Sequence, residues 1–437
     1  MASGSVQAES ESKIVNMRAG YCSGDDGGVL LFLAPAFALD APVPDQPRGL
    51  KQQGFELSFE LPEGATLLLS QDGGLPTQAH DGSIWIDHSQ VVRAQAELDG
   101  ELSEVVTHTY LFLEDVMEQP ELDPDITGDA VYAARMRSSL ETLPSVSLAL
   151  DGDLSTTEQG LSFEYFEPET EPGAQDLQAD CGGRRVGGHS IGYPKNNLRL
   201  HFRSEYGEGR LEADFFGEDH RGLPPIQSHD SLDLRGGSHD SGFYLGTRGQ
   251  HLRNVWMDES ELAMGHEAPH SRFVHVYLNA EYIGLYQLRE RFDAAFLSEH
   301  RGGSEDDFEA VNGGRAVDGS GAAWSQVAAG ASDFEQFREW VDVEQYLDTW
   351  CSTSTRRTPG TGTPTRTGWR QARGRPRRAG SSTAATATSA STTAPTPGCW
   401  TAPARPTASA ACWPRGTPTS RWRSWTPSTG TCETRAR

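Results

Sequence analysis

FVHVYLNAEYIGLYQLRERFDAAFL, residues 273–297, decides the reading of this chain. Val274, Val276 and Leu278 alternate with His275 and Tyr277, the two-residue period of a half-buried strand. Asn279-Ala280-Glu281 can turn the chain, because Asn tolerates left-handed backbone angles. Ile283, Leu285 and Tyr286 open a second strand. Beyond Glu290 the period lengthens: Phe292, Phe296 and Leu297 fall at helical spacing, and Gly302-Gly303 stop the helix. The segment therefore predicts a hairpin and a helix, joined by Arg289-Glu290-Arg291, a run that could itself open the helix.

Working outward, Ser231–Asp240 (SLDLRGGSHD) and Cys181–Phe202 (CGGRRVGGHSIGYPKNNLRLHF) lie upstream. Strands are expected over 146–150, 162–166 and 198–202. Downstream, Ser332 with Glu335 forms a capping box ahead of Phe334, Phe337 and Trp340. Asp342 with Gln345 starts another amphipathic helix carrying Val343, Tyr346, Leu347 and Trp350.

These segments together resemble the CotH kinase family, named for a spore-coat protein kinase. Its pattern "vYLNGeYwGlYnLrERiD..FL" is matched at Tyr277, Leu278, Asn279, Glu281, Tyr282, Gly284, Leu285, Tyr286, Glu290, Arg291 and Asp293. Ala280 stands for the usual Gly and Ile283 for the usual Trp. The family's "RG.S…PKksyrlkF" is matched at Gly188, Ser190, Pro194, Lys195, Leu198, Arg199, Leu200 and Phe202, and its "d.LvLRs.s.D" at Leu232, Leu234, Arg235, Ser238 and Asp240. The resemblance implies a two-lobed kinase-like α+β fold and ATP-dependent phosphoryl transfer to Ser or Thr of a protein, with Mg²⁺ as metal. It makes Lys195 the candidate phosphate contact, Glu290 its candidate partner, and Arg235 a second phosphate candidate. Against those roles stand plain ones. Lys195 can be a surface lysine, Glu290 a structural acid held by Arg289 or Arg291, and Arg235 a partner of Asp233 or Asp240. The family's catalytic and metal-binding aspartates lie beyond the position of Trp350, yet no Asp follows Asp348 here. The resemblance thus implies a kinase domain without its metal ligands; the alternative is a non-catalytic extracellular or surface scaffold.

Ahead of this domain, residues 54–112 carry short strand signals at 55–61, 66–69, 83–86, 91–98 and 105–112, with Gln71-Asp72-Gly73-Gly74 as turn chemistry. This part resembles the chitobiase C-terminal-like, fibronectin-III-associated β-sandwich, regarded as a binding or spacer module. The expected organisation is an N-terminal segment and linker over 1–50, a small β-sandwich over 51–113, an acidic linker over 114–140, a truncated kinase-like α+β domain over 141–351, and a disordered tail over 352–437. Residues 29–39 (VLLFLAPAFAL) are too short to span a bilayer. They fit a signal-peptide core or a buried strand equally, with Asp25 and Asp26 where a signal wants basic charge. The signal-like run and the resemblance favour an extracytoplasmic location.

Charge is unevenly spread. Residues 352–437 hold fourteen Arg and one acid, Glu433, so of 37 basic and 62 acidic residues the first 351 keep 23 and 61. Such an acidic body disfavours nucleic acid and anionic membrane as partners. No CxxC pair occurs among the six cysteines, which gives no support to a zinc knuckle or disulfide framework. His266-Glu267-Ala268-Pro269-His270 matches HExxH only formally, since Pro269 would break the helix that zinc binding needs.

The last 86 residues contain no Leu, Ile, Val, Met, Phe, Tyr, Lys, His or Asn. Without aliphatic residues they cannot form a core. A GC-rich gene read out of frame gives this composition. Joining the third base of each codon after 351 to the first two of the next permits N-V-Y-A-A-N-T-G-D-W-D, similar to the family's "vyanNgDw" segment. A frame break near codon 351 is therefore expected.

Overall fold

A computed structural model describes residues 17–20, 32–35, 39–168, 176–217, 221–312, 314–355 and 384–388. The signal-like run 29–39 lies mostly outside them; within it, Phe32–Pro35 pairs antiparallel with Met17–Gly20. Of the tail expected to be disordered, the description covers the end of a helix at Thr355 and a strand, Ala384–Thr388, parallel to Phe308–Asn312. The rest of the tail lies outside the described residues. Strands and helices are mixed, as an α+β chain requires.

The first layer is a sheet in the order β1 (Gly49–Lys51), β5 (Val106–Phe112), β4 (Gln90–Leu98), β2 (Thr66–Ser70), β3 (Gln78–His80). All its neighbours are antiparallel except β1, which enters parallel to β5. Phe55–Leu57 pairs with Ile84–Ile86. Leu57, Ile84 and Ile86 then share a buried cluster with Leu67, Leu69, Val92, Ala94 and Tyr110. Alternate residues of each strand point to this cluster, which is why the two-residue period was readable.

Residues 114–140 do not form the expected linker. Leu113–Glu118 and α1 (Ala130–Thr142) are helices, and their Val116, Met117 and Leu140 are buried. Apolar residues are few among the acids here; Val116, Met117 and Leu140 point inward, while Val131 and Tyr132 are exposed. Their cluster includes Val91 and Leu111 of the first sheet and Ala149, Phe166, Tyr277 and Tyr282 of the next, so apolar packing runs across both.

The second sheet closes on itself. Its circuit is β6 (Ser145–Ala149), β7 (Gln159–Phe166), β8 (Asp176–Val186), β9 (Asn197–His201), β10 (Ser231–Arg235), β12 (Glu281–Glu290), β11 (Ser271–Leu278) and back to β6. Between β10 and β11 lies α2 (Arg253–Ala263). Val146, Leu148, Phe163, Leu198, Leu200, Leu232, Leu234, Val274, Val276, Tyr286 and Leu288 fill the interior. Closure removes sheet edges, so each strand gains two backbone partners. The β11–β12 hairpin turns at Asn279 and Ala280 with φ of 49° and 65°. Two successive left-handed residues make the twist-compatible hairpin turn. The Asn279 side chain exchanges two hydrogen bonds of 3.0 Å with the backbone of Leu150.

After the hairpin, α3 (Ala294–Arg301) is capped by Asp293, whose carboxylate accepts from Phe296 N. The charged run Arg289-Glu290 belongs to β12 and does not open that helix. Further on, α4 (Phe334–Trp340) is capped by Asp333 instead of Ser332. Asp342 caps α5 (Val343–Thr355) through Gln345 N, as its spacing predicted.

The two sheets meet at a buried carboxylate. Glu164 of β7 is fully inaccessible, accepts from Thr109 N at 3.1 Å and from the Thr109 hydroxyl, and pairs with Arg48 at 3.2 Å. Burial, opposed by Arg48, pushes its carboxyl up to about 7. A raised carboxyl favours the fold while protonated, so this contribution is present at pH 5 and lost as pH rises toward 7. His108, His201 and His275 act in the opposite sense. Burial pulls them down to about 3, 3 and 4, so the fold weakens as pH falls below 6.5. Glu164→Gln removes only the first effect. Denaturant unfolding of variant and wild type at pH 5 and pH 8 should show the variant gaining relative stability at pH 8, on the order of 3 kcal/mol.

Candidate functional site

Lys195 stands just before β9, at one end of the barrel. Its ammonium donates to the Leu285 carbonyl at 2.5 Å and lies 4.4 Å from the centre of the Tyr286 ring. Two glycines make the room. A Cβ on Gly284 would stand 2.9 Å from Lys195 Nζ, and one on Gly236 would stand 3.0 Å from Lys195 Cγ. Gly284 also holds φ at +119°, which side chains rarely adopt. Burial lowers the lysine to about 8. No carboxylate within ion-pair distance holds it among the described residues.

Loops from both sides close on this end. Asn197 accepts from Gly236 N and bonds the Ser238 hydroxyl, tying β9 to the segment after β10. Tyr193 stacks on Tyr244 at 5.8 Å, and His189 on His239 at 6.4 Å. Sequence reading missed this aromatic and histidine cluster because its members sit some fifty residues apart in two irregular loops. The glycines of Arg235-Gly236-Gly237 were the only local signal.

Glu290 is elsewhere. Five residues separate it from Leu285 along β12, about 17 Å at the rise of a strand. Its carboxylate is 1% exposed and accepts from Ile226 N at 2.7 Å, His270 N at 2.7 Å and His270 Nδ1 at 3.1 Å. The expected Lys195–Glu290 pair is therefore not formed: the two residues serve opposite ends of one strand. Arg291, the other neighbour expected to hold Glu290, pairs with Asp293.

Arg235 ends β10, opposite Gln287 of β12. It pairs with neither acid expected of it. Asp233 takes Arg199 in a bidentate contact of 2.6 and 3.1 Å, and Asp240 takes Arg253 at 3.3 Å. Asn254 of α2 offers its amide oxygen to Arg235 at 3.3 Å in the amide orientation that satisfies both groups. Burial, then the charge of Arg289, lowers Arg235. Arg289 itself is buried against Asp258 of α2 at 2.8 and 3.0 Å. Arg199, Asp233 and Arg289 are cross-strand neighbours, so the outer barrel wall carries an alternating charge row beneath α2.

Residues 184–351 match the model of the CotH kinase protein family. This segment belongs to the CotH kinase family. The match spans β8 to α5 and contains Lys195, Arg235 and Glu290. It ends at Cys351, where the composition breaks. No curated protein matches the chain.

The CotH kinase assignment implies a nucleotide and a divalent metal. For the nucleotide's phosphates the residues fit: Lys195 has donors left beyond Leu285 O, in a slot walled by glycines. For the metal they do not. Among the described residues no three His, Cys, Asp or Glu side chains converge to hold one. The formal HExxH lies in an irregular segment between α2 and β11, outside any helix; His266 bonds Asp348, Glu267 bonds Arg301, and His270 bonds Glu290. No described helix is long and apolar enough to cross a membrane.

The slot predicts the effect of Gly284→Ala. The new methyl meets Lys195 Nζ, and the left-handed backbone is strained. The variant should lose on the order of 1–3 kcal/mol by denaturant unfolding.

Proposed function

We propose that the chain carries a CotH-type kinase lobe that holds ATP through Lys195 and does not transfer its phosphate. The observation that carries the reading is the Lys195 ammonium, seated in its glycine-walled slot and unpaired with any described acid. A lysine buried only for structure is normally matched by a carboxylate, as Arg199 and Arg289 are on the wall outside. An unmatched ammonium is what a phosphate ligand needs. Arg235 lies one residue from Gly236 and adds positive potential to the same barrel end.

Phosphoryl transfer needs more than this contact. When bound, a magnesium ion would neutralise charge on the transferred group, and an acid must orient the acceptor hydroxyl. This chain has no Asp after Asp348, and Glu290 is already bound by backbone donors. We place the loss at a frame break near codon 351, supported by the ten residue types missing after it, Asp among them, and by the end of the family match at the same residue. The β layers ahead of residue 141 fit a chitobiase C-terminal-like spacer that positions the lobe.

Equilibrium dialysis with labelled ATP tests the reading. Binding is expected, with no label passing to the chain or to an added acceptor protein. Label on protein would overturn the loss of transfer, and absent binding would overturn the nucleotide role. A non-catalytic scaffold is favoured by one observation, the buried Glu164–Thr109 and Gln178–Thr107 bonds that lock the β layers to the barrel.

A further inference from the structure

The loops that close the Lys195 end of the barrel invert the charge balance of the chain. Residues 184–197 and 235–254 hold six cations, Arg184, Arg185, Lys195, Arg235, Arg248 and Arg253, against one acid, Asp240, whereas the first 351 residues hold 23 basic and 61 acidic ones. Arg253 is ion-paired with Asp240. The other five have no carboxylate within ion-pair distance among the described residues, although Arg199, Arg203, Arg210, Arg272, Arg289 and Arg301 of the same lobe each have one. Arg185 and Arg248 are exposed. Arg185 donates to Asn196 Oδ1 at 3.1 Å, beside Lys195. Gly249 folds its loop back on Ser241, where a Cβ would stand 2.5 Å from the carbonyl carbon, and this keeps Arg248 next to the short helix Gly242–Leu245. That helix carries Phe243 and Tyr244, 65% and 51% exposed. Their rings lie 5.2 and 5.8 Å from the Tyr193 ring, and Tyr244 lies 4.8 Å from His239. Rings and unpaired cations thus share one open face.

We propose that this face, with Tyr193, Phe243 and Tyr244 at its centre and Arg185 and Arg248 beside them, docks an acidic peptide segment that carries apolar side chains. The surface goes beyond the nucleotide reading and does not depend on it. Its rings supply apolar area, and its arginines supply the forked donors that carboxylates take. A small ligand is a poor match, because small ligands bind in concave sites that cover most of their surface. An anionic membrane or a nucleic-acid strand is a poor match for another reason. Each extends past the patch onto the acid-rich remainder of the body, and screening over about 8 Å at physiological salt does not hide charges in contact. A short acidic segment meets only the local positive charge. The charges then set specificity and association rate, and the rings supply most of the affinity.

Fluorescence anisotropy of the full chain with a labelled peptide of Glu-Glu-Tyr repeats tests the surface. Saturable binding is expected, weakening several-fold as salt rises from about 50 to about 200 mM. The same peptide with Lys for Glu should not bind. Phe243→Ser with Tyr244→Ser, and separately Arg185→Glu with Arg248→Glu, should each weaken binding about tenfold or more. All four positions are exposed, so both proteins should keep the wild-type circular dichroism. Should the serine variant fail to fold, the arginine variant decides. No binding, binding that neither pair of changes reduces, or equal binding of the lysine peptide overturns the proposal. Three readouts address other occupants: co-sedimentation with vesicles of phosphatidylserine and phosphatidylcholine in equal parts, anisotropy of a labelled single-stranded oligonucleotide, and sedimentation velocity of the chain alone. Tighter binding to vesicles or oligonucleotide, or self-association, lost in the same variants, overturns the peptide as the occupant. Neither variant touches Lys195, so ATP binding should be unchanged in both.

Discussion

Glu290→Ala should cost about 3–5 kcal/mol of stability, because it strips a buried carboxylate from the donors built around it. Ile226 N and His270 N would each lose an acceptor in a site with little access to water. At the few degrees per kcal/mol expected for a fold of this size, the melting temperature should fall by roughly 10 °C. Lys195→Met is the contrast. It removes one hydrogen bond to Leu285 O and a cation–ring contact, but also a buried charge, so its stability should stay within about 1 kcal/mol of wild type. Thermal melts of the two variants separate a fold-holding role for Glu290 from the ligand role proposed for Lys195. A Glu290→Ala protein that melts like wild type and fails to bind ATP would reverse the assignment.

Restoring the reading frame should produce a larger effect on activity than any substitution. A gene that continues from the third base of each codon after 351 would encode a different continuation. It should replace a tail without aliphatic residues by one able to pack. Phe334 of α4 is 61% exposed and Leu347 of α5 is 51% exposed, apolar side chains that a packed continuation would cover. Both lie in the final helices of the family match. If the continuation brings the missing aspartates, label transfer from ATP should rise by about 10³-fold or more over the chain described here, since charge stabilisation is the main catalytic term in phosphoryl transfer. Sequencing the gene through codon 351 decides the premise. An uninterrupted frame, together with stable expression of residues 352–437, would remove it.

The hairpin was legible because its residues obey one simple period on each side of a left-handed turn, and Asn279 advertises that turn. Capping at Asp342 was legible for the same local reason. The barrel was not. β8 (DLQADCGGRRV) has too few apolar residues and two glycines, so it does not look like a strand. Its neighbours supply what it lacks: a Cβ on Gly183 would collide with Leu161, and one on Gly182 with Tyr206. A glycine that yields its space to a residue from another strand leaves no local trace. The same holds for Lys195 and Glu290. The family pattern named both, but only the strand geometry shows that they stand at opposite ends. The outer charge row of Arg199, Asp233 and Arg289 was not legible either, because its members are neighbours only across strands, and Asp258, the partner of Arg289, comes from a helix that no short-range rule places there.

The most direct test of the ATP site is the melting temperature of the chain with and without saturating Mg-ATP, run beside Lys195→Met. At a ligand concentration about a hundred times the dissociation constant, the wild type should gain roughly 2.7 kcal/mol and its transition should shift upward by several degrees. Lys195→Met should show no shift. An unchanged wild-type transition, or an equal shift in both proteins, would contradict Lys195 as the seat of a nucleotide.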